Sequence, residues 1–209
     1  LSAEVDGDYP VDVDVVSDVA DALWQINEKL NDQFDDKPGL PLFDITERGK
    51  LRQAIAEDFA MEKDDDSFPM KPQKVLWDVR KFLGSDDILL SDVGAHKMWI
   101  ARYYQCEKPN TCLISNGFCS MGFALPGALG AKIAHPDVRV LAICGDAGFL
   151  MNVQDLETLV RHKIKAVIMV WCDSEYGLIK WKQQNSFGRH SDLAFNNPDF
   201  ELLARSFGM

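Results

Sequence analysis

Residues 138–179 read VRVLAICGDAGFLMNVQDLETLVRHKIKAVIMVWCDSEYGLI, and this stretch decides the fold. An apolar run over 138–144 ends in Gly145-Asp146-Ala147-Gly148. A helix-like stretch follows, and a second apolar run over 165–171 ends in Cys172-Asp173-Ser174. The order is strand, turn, helix, strand, turn, and a right-handed crossover makes the two strands parallel. Each aspartate then stands just past the carboxyl end of a buried strand, where open α/β sheets bind ligands. The expected fold is α/β: a doubly wound parallel sheet with helices on both faces.

The chemistry follows from the residue types. Gly145, Ala147 and Gly148 are small enough for backbone N–H groups to come close to a ligand at a helix N-terminus, an arrangement that favours phosphate. Mg²⁺ takes hard oxygen ligands, usually one or two carboxylates with phosphate oxygens and water. Asp146 and Asp173 offer the carboxylates, and the backbone carbonyl of Glu175 adds a third protein oxygen. The expected ligand is a Mg²⁺-bound diphosphate. An aspartate after a strand also serves as a plain helix cap, and the residues alone leave that alternative open.

The stretch resembles the diphosphate-binding signature of thiamine-diphosphate enzymes, which reads Gly-Asp-Gly, a spacer, then Asn-Asn. Asp173 follows Asp146 by 27 positions, the usual gap between that family's two metal-ligand side chains. Two departures stand out. Ala147 replaces the glycine at the third position and brings a methyl group to where backbone and phosphate meet; Cys172-Asp173 replaces the asparagine pair. Aspartate at the second position is familiar in catabolic acetolactate synthases, whose Asn-Asp-Ser-x-Tyr turn compares with Cys172-Asp173-Ser174-Glu175-Tyr176.

Earlier motifs extend the resemblance. A short apolar strand over 87–92 runs into Asp92-Val93-Gly94-Ala95-His96, similar to the family's Asp-Val-Gly-x-His turn. That likeness puts Gly94 and His96 near the cofactor diphosphate; a helix-terminal hydrogen bond is the alternative for His96. A strand over 111–115 leads into Asn116-Gly117-Phe118-Cys119-Ser120-Met121-Gly122 and a Leu125-Pro126 helix, as in acetolactate synthases. There the backbone carbonyl at Cys119 accepts from the cofactor's aminopyrimidine and Met121 wedges between its two rings, with plain core packing the alternative for Met121. Tyr176, Gly177 and Leu178 open a helix over 176–182 that flanks the cofactor. Biosynthetic relatives carry a tryptophan that favours a larger second keto acid where Lys182 falls here, which points to pyruvate as both substrates. A polar loop over 185–197 then precedes a helix over 198–207, capped at Asn196-Asn197.

The N-terminal third carries less. Alternating Val11-Asp12-Val13-Asp14-Val15 suits a half-buried strand or an extended edge. Ser17 or Asp18 can cap a helix bearing Val19, Ala22, Leu23, Ile26 and Leu30 on one face. The acidic opening with Tyr9-Pro10 resembles the end of the middle domain of acetolactate synthases. Residues 34–70 read as a linker containing one helix over 47–61, and Asp64-Asp65-Asp66 reads as solvated charge rather than a metal site. Residues 1–40 are therefore taken as the tail of a preceding middle domain plus linker, and 41–209 as the cofactor-binding domain, incomplete at its C-terminus.

Composition sets the outer bounds. With 46% hydrophobic residues and both charge signs present, the 209-residue chain reads as soluble and globular. A net charge of −11 argues against nucleic acid or an anionic membrane as partner. Five cysteines without paired spacing suggest reduced, buried thiols in an intracellular, cytoplasmic protein. The resemblance implies an enzyme, a transferase that decarboxylates pyruvate and condenses the carbanion with a second 2-keto acid. Thiamine diphosphate and Mg²⁺ are the implied cofactors. It also implies a homo-oligomer in which a partner subunit's pyrimidine-binding domain supplies the activating glutamate, so that this chain holds no catalytic residue of its own and is inactive alone. The alternatives are a 2-keto acid decarboxylase or aldehyde carboligase of the same family, and a stand-alone Mg²⁺–phosphate binding module.

Overall fold

The computed structural model describes residues 12–34 and 45–209. The chain divides into two compact units, the second running from Ala54 to Met209. In chain order the elements are α1 (Val19–Phe34), α2 (Ile45–Ala60), α3 (Pro72–Phe82), β1 (Ile88–Ser91), α4 (Ala95–Tyr103), β2 (Cys112–Ile114) and α5 (Ala124–Ala134). They continue with β3 (Val140–Gly145), α6 (Asp146–Met151), α7 (Asp155–Arg161), β4 (Val167–Trp171), α8 (Gly177–Phe187) and α9 (Phe200–Ser206).

All four strands lie in one sheet of order β2-β1-β3-β4, and each neighbouring pair is parallel. Successive residues of a strand point to opposite faces, and the sheet uses both. Leu90, Ala142 and Cys144 meet Ala124, Leu125 and Ala128 of α5 and Leu156 and Leu159 of α7. Leu89, Leu141 and Ile143 turn the other way, against Leu76 and Val79 of α3 and Ile100 of α4. A sheet covered on both faces needs continuous apolar strands, which is why these segments show no alternation. The expected α/β architecture is the one observed.

The topology makes the crevice. From β1 the chain passes through α4 to β2 on one side, then returns through α5 to β3 on the other side of β1. Because α4 and α5 cover opposite faces, the carboxyl ends of β1 and β3 border the point where the winding reverses. Ligands of doubly wound sheets bind at such a point.

Several expectations need correction. Residues 12–18 form no strand, and Val13 and Val15 are 74% and 61% exposed; alternation cannot make a strand where no neighbour supplies the ladder. Val11, and most of the linker turn at 34–39, fall outside the described residues. The helix-like stretch after β3 is two short helices broken at Asn152. The helix flanking the site runs on to Phe187 and stops at Gly188, whose left-handed φ of 66° ends it. Of the cysteines, all free, only Cys144 is buried, while Cys106, Cys119 and Cys172 are exposed. Asp18 does cap α1, accepting from Ala20 N at 2.9 Å. Among the described residues no helix is long and apolar enough to cross a membrane.

The cap of α9 is not the asparagine pair but Asp199, whose Oδ1 accepts from Leu202 N at 2.9 Å. α9 packs Phe200 and Leu203 onto the α5/α7 face, so its loss is felt by the core. Asp199→Ala is expected to lower stability by about 1 kcal/mol in urea denaturation, the usual cost of losing an N-cap.

Candidate cofactor site

The carboxyl ends of β1, β3 and β4, with the first turn of α8, wall a cavity of about 420 Å³, within the range of small-molecule sites. Every residue nominated from the sequence lines it. Gly94 and His96 come from the start of α4, and Cys119 and Met121 from the loop before α5. Gly145, Asp146, Ala147 and Gly148 come from the β3–α6 turn. Asp173 and Glu175 follow β4, and Tyr176, Gly177 and Leu178 begin α8. Trp99, Trp171 and Ile179 complete the apolar part of the wall. Lys182 is exposed and absent from the cavity, while Trp181 faces a separate hollow beside Lys180 and Gln184.

Asp146 is the hub, only 2% exposed. Its Oδ2 accepts from Ser174 N at 2.8 Å, Asp173 N at 3.2 Å and Asn197 Nδ2 at 2.6 Å, and its Oδ1 from Ala147 N at 2.9 Å. Ser174 lies in the left-handed region at φ 59°, a rare conformation for a residue with a side chain. That twist lets two successive N–H groups converge on one oxygen, the nest geometry that backbone uses for anions. The turn is braced from outside by Tyr176 N to Leu193 O at 3.0 Å and Phe195 N to Ser174 O at 2.9 Å. In this antiparallel bridge between Glu175 and Ala194, Glu175 keeps its own N–H and carbonyl on the opposite edge. Its N–H reaches Asp173 Oδ1 at 3.3 Å.

Three supports escaped the sequence. Asp92, fully buried, accepts from Val93 N at 2.7 Å, Gly122 N at 2.9 Å and Phe123 N at 3.2 Å. It thereby ties the end of β1 to the loop carrying Cys119 and Met121. Asn152 holds the same loop by donating to Gly122 O at 2.7 Å. Asn197, read as a helix cap, reaches Asp146 and Ser174 instead. Cys119, in the braced loop, also adopts a left-handed φ of 51°.

The electrostatics suit a cation and an anion side by side. Burial pushes the Asp173 carboxyl above the usual range, and the charges of Asp146 and Glu175 push the same way while the Glu175 N–H opposes them. A divalent cation between these carboxylates would reverse that effect. Burial also pushes Asp92 up, against the pull of its three backbone donors. His96 is held down to about 4 by burial, with smaller upward pulls from the Asp92 backbone and the Asp146 charge. It is therefore neutral near pH 7, and its buried Nε2 has no partner among the described residues. Among those residues no group of three or more His, Cys, Asp or Glu side chains forms a metal site. Two carboxylates and a carbonyl leave half of an octahedral Mg²⁺ shell to water and to ligand oxygens such as those of a diphosphate.

The cradle is shaped by close approach. A Cβ at Gly94 would lie 2.9 Å from His96 Cε1, and one at Gly148 would overlap Asp92 Oδ2. The residues present thus fit a diphosphate with its cation: a confined cradle at a helix start, an orphaned imidazole nitrogen, and a paired carboxylate set.

The family profile described as "Thiamine pyrophosphate enzyme, C-terminal TPP binding domain" matches residues 92–209, more than half of the chain. The chain belongs to this family. Its cofactor is thiamine diphosphate, with Mg²⁺ the usual metal. Similarity extends over the N-terminal part as well. The acetolactate synthase of Bacillus subtilis (strain 168) is 31% identical over 209 residues, covering 100% of this chain and 36% of the relative. A probable acetolactate synthase large subunit of Methanococcus aeolicus is 32% identical over 216 residues, 99% of this chain and 36% of the relative. The acetolactate synthase isozyme 3 large subunit of Escherichia coli (strain K12) is 32% identical over 202 residues, 94% of this chain and 34% of the relative. The chain spans about a third of the length of these acetolactate synthases.

Proposed function

We propose that this chain is the diphosphate- and Mg²⁺-binding part of an acetolactate synthase-like transferase, which decarboxylates pyruvate and joins the two-carbon unit to a second 2-keto acid. The observation that carries the reading is the convergence of all the nominated residues, drawn from four separate loops, on one cavity at the winding reversal. Asp146, Asp173 and the Glu175 carbonyl hold the cation. Gly94, His96, Gly145, Ala147 and Gly148 cradle the diphosphate. The Cys119 carbonyl would accept from the aminopyrimidine, and Met121 would pack against the cofactor's rings. Tyr176, Gly177 and Leu178 close the wall beside it.

Bound thiamine diphosphate supplies an electron sink for carbon–carbon bond cleavage and formation, and the protein supplies binding and orientation. The chain's own part is to hold the cation that offsets the phosphate charge, to pack Met121 against the cofactor, and to exclude water with Trp99, Trp171 and Leu178. The activating glutamate belongs to a pyrimidine-binding domain of a partner subunit in a homo-oligomer, so residues 1–209 bind the cofactor without turning over substrate. Residues 1–40 end the preceding middle domain and link it to 41–209. Exposed Lys182, in place of a cavity tryptophan, supports pyruvate as acceptor as well as donor.

The test uses ¹³C-pyruvate with thiamine diphosphate and Mg²⁺, products being read by NMR from the full-length protein that contains this chain. Acetolactate is expected. Acetaldehyde alone would move the enzyme to the decarboxylases, and the absence of both product and cofactor binding would overturn the assignment.

A further inference from the structure

We propose that Asn197 is a positioning residue for the metal site: its amide commits one oxygen of Asp146 to the protein and turns the other toward the cation. The inference rests on the assignment of Asp146 as a Mg²⁺ ligand. Oδ2 of Asp146 takes three N–H donors, of which Asn197 Nδ2 at 2.6 Å is the shortest. Oδ1 takes only Ala147 N, at 2.9 Å. A carboxylate oxygen has two lone-pair directions, so Oδ2 is saturated and Oδ1 retains one for a metal.

The amide reaches further than Asp146. Nδ2 also lies 3.2 Å from Ser174 Oγ, so one planar group joins the start of α6 to the turn that carries Asp173. Its orientation follows from chemistry, because the flipped amide would press an oxygen against the Asp146 carboxylate. The placement has a cost: Asn197 Oδ1 is buried with no hydrogen-bond partner among the described residues. An unsatisfied buried acceptor destabilises a fold, so stability alone does not account for an asparagine here. Helix capping does not account for it either, since Asp199 holds that role.

Ligand geometry gives a readout that a merely structural role would not move. Mg²⁺ demands near-ideal octahedral coordination, whereas Ca²⁺ accepts loose, variable shells. Freeing the Asp146 carboxylate to rotate should therefore penalise Mg²⁺ more than Ca²⁺. Trp99 and Trp171 line the cavity and report binding by fluorescence. At saturating thiamine diphosphate, Asn197→Ala is expected to raise the Mg²⁺ half-saturation concentration about tenfold or more, the scale of loss when a group that orients a metal ligand is removed. The Ca²⁺ value should move less than about threefold. Asp199→Ala, which loosens the same segment without touching Asp146, should leave both unchanged. Equal shifts for the two cations, a Mg²⁺ shift shared by Asp199→Ala, or no shift would each overturn the proposal. A metal response present in the unaltered protein and lost in Asp146→Ala, yet unchanged in Asn197→Ala, defeats this inference alone. No metal-dependent response in the unaltered protein defeats the cofactor assignment and this inference with it.

Discussion

Asp146→Ala is expected to abolish Mg²⁺-dependent binding of thiamine diphosphate, lowering affinity by more than about a hundredfold, beyond the loss seen when a residue that only orients a metal ligand is removed. Two effects add. On the proposed assignment the substitution removes a carboxylate ligand at the mouth of β3, where phosphate charge needs a cation. It also strips Asp173 N, Ser174 N and Asn197 Nδ2 of their common acceptor, so the turn carrying the second carboxylate loses its brace. The loss should appear in calorimetric titration of thiamine diphosphate with Mg²⁺ present, while circular dichroism keeps the α/β signature, because the two apolar cores on the sheet faces are untouched. An unchanged affinity would remove Asp146 from the metal site.

Gly148→Ala is expected to be the most damaging single-methyl change near the cavity. The added Cβ would overlap Asp92 Oδ2, lie 3.1 Å from its Cγ and approach Gly122 N to 3.5 Å. Asp92 cannot swing aside cheaply, because it is fully buried and holds Val93, Gly122 and Phe123 by their N–H groups. Overpacking of a fixed site costs about 1–3 kcal/mol, and any retreat of Asp92 strands buried donors as well. A thermal or urea unfolding curve should show the loss, accompanied by weaker cofactor binding because the Cys119–Met121 loop shifts with Gly122. Full stability would mean that the Asp92 carboxylate has an alternative seat.

Ala147 makes the contrast plain. It stands one residue away, only half-buried, where the family signature has glycine. Its N–H still reaches Asp146 Oδ1, so the methyl group does not prevent the turn from forming. Position within the turn, not the count of glycines, decides which Cβ is tolerated.

The sequence by itself determined the parallel α/β class and the residues that gather around the cavity. Apolar runs of strand length, each closed by glycine or aspartate, reveal local structure because backbone geometry is a near-neighbour property. The carboxylate spacing across one crossover is equally local to the β3–β4 unit. The N-terminal alternation misled for the opposite reason: a strand is stable only with a partner, and residues 12–18 pair with no strand among the described residues.

Only the tertiary structure decided which polar residues hold the site in shape. Asn197 lies 51 positions from Asp146, and Asp92 lies 30 from Gly122. Before a proline and a helix, an asparagine reads as a cap, and nothing within a few residues marks it otherwise. Side-chain hydrogen bonds between distant segments depend on how strands are ordered and loops packed, information that spacing and periodicity do not carry. The motifs therefore named residues that line one cavity, and packing alone named those that hold them still.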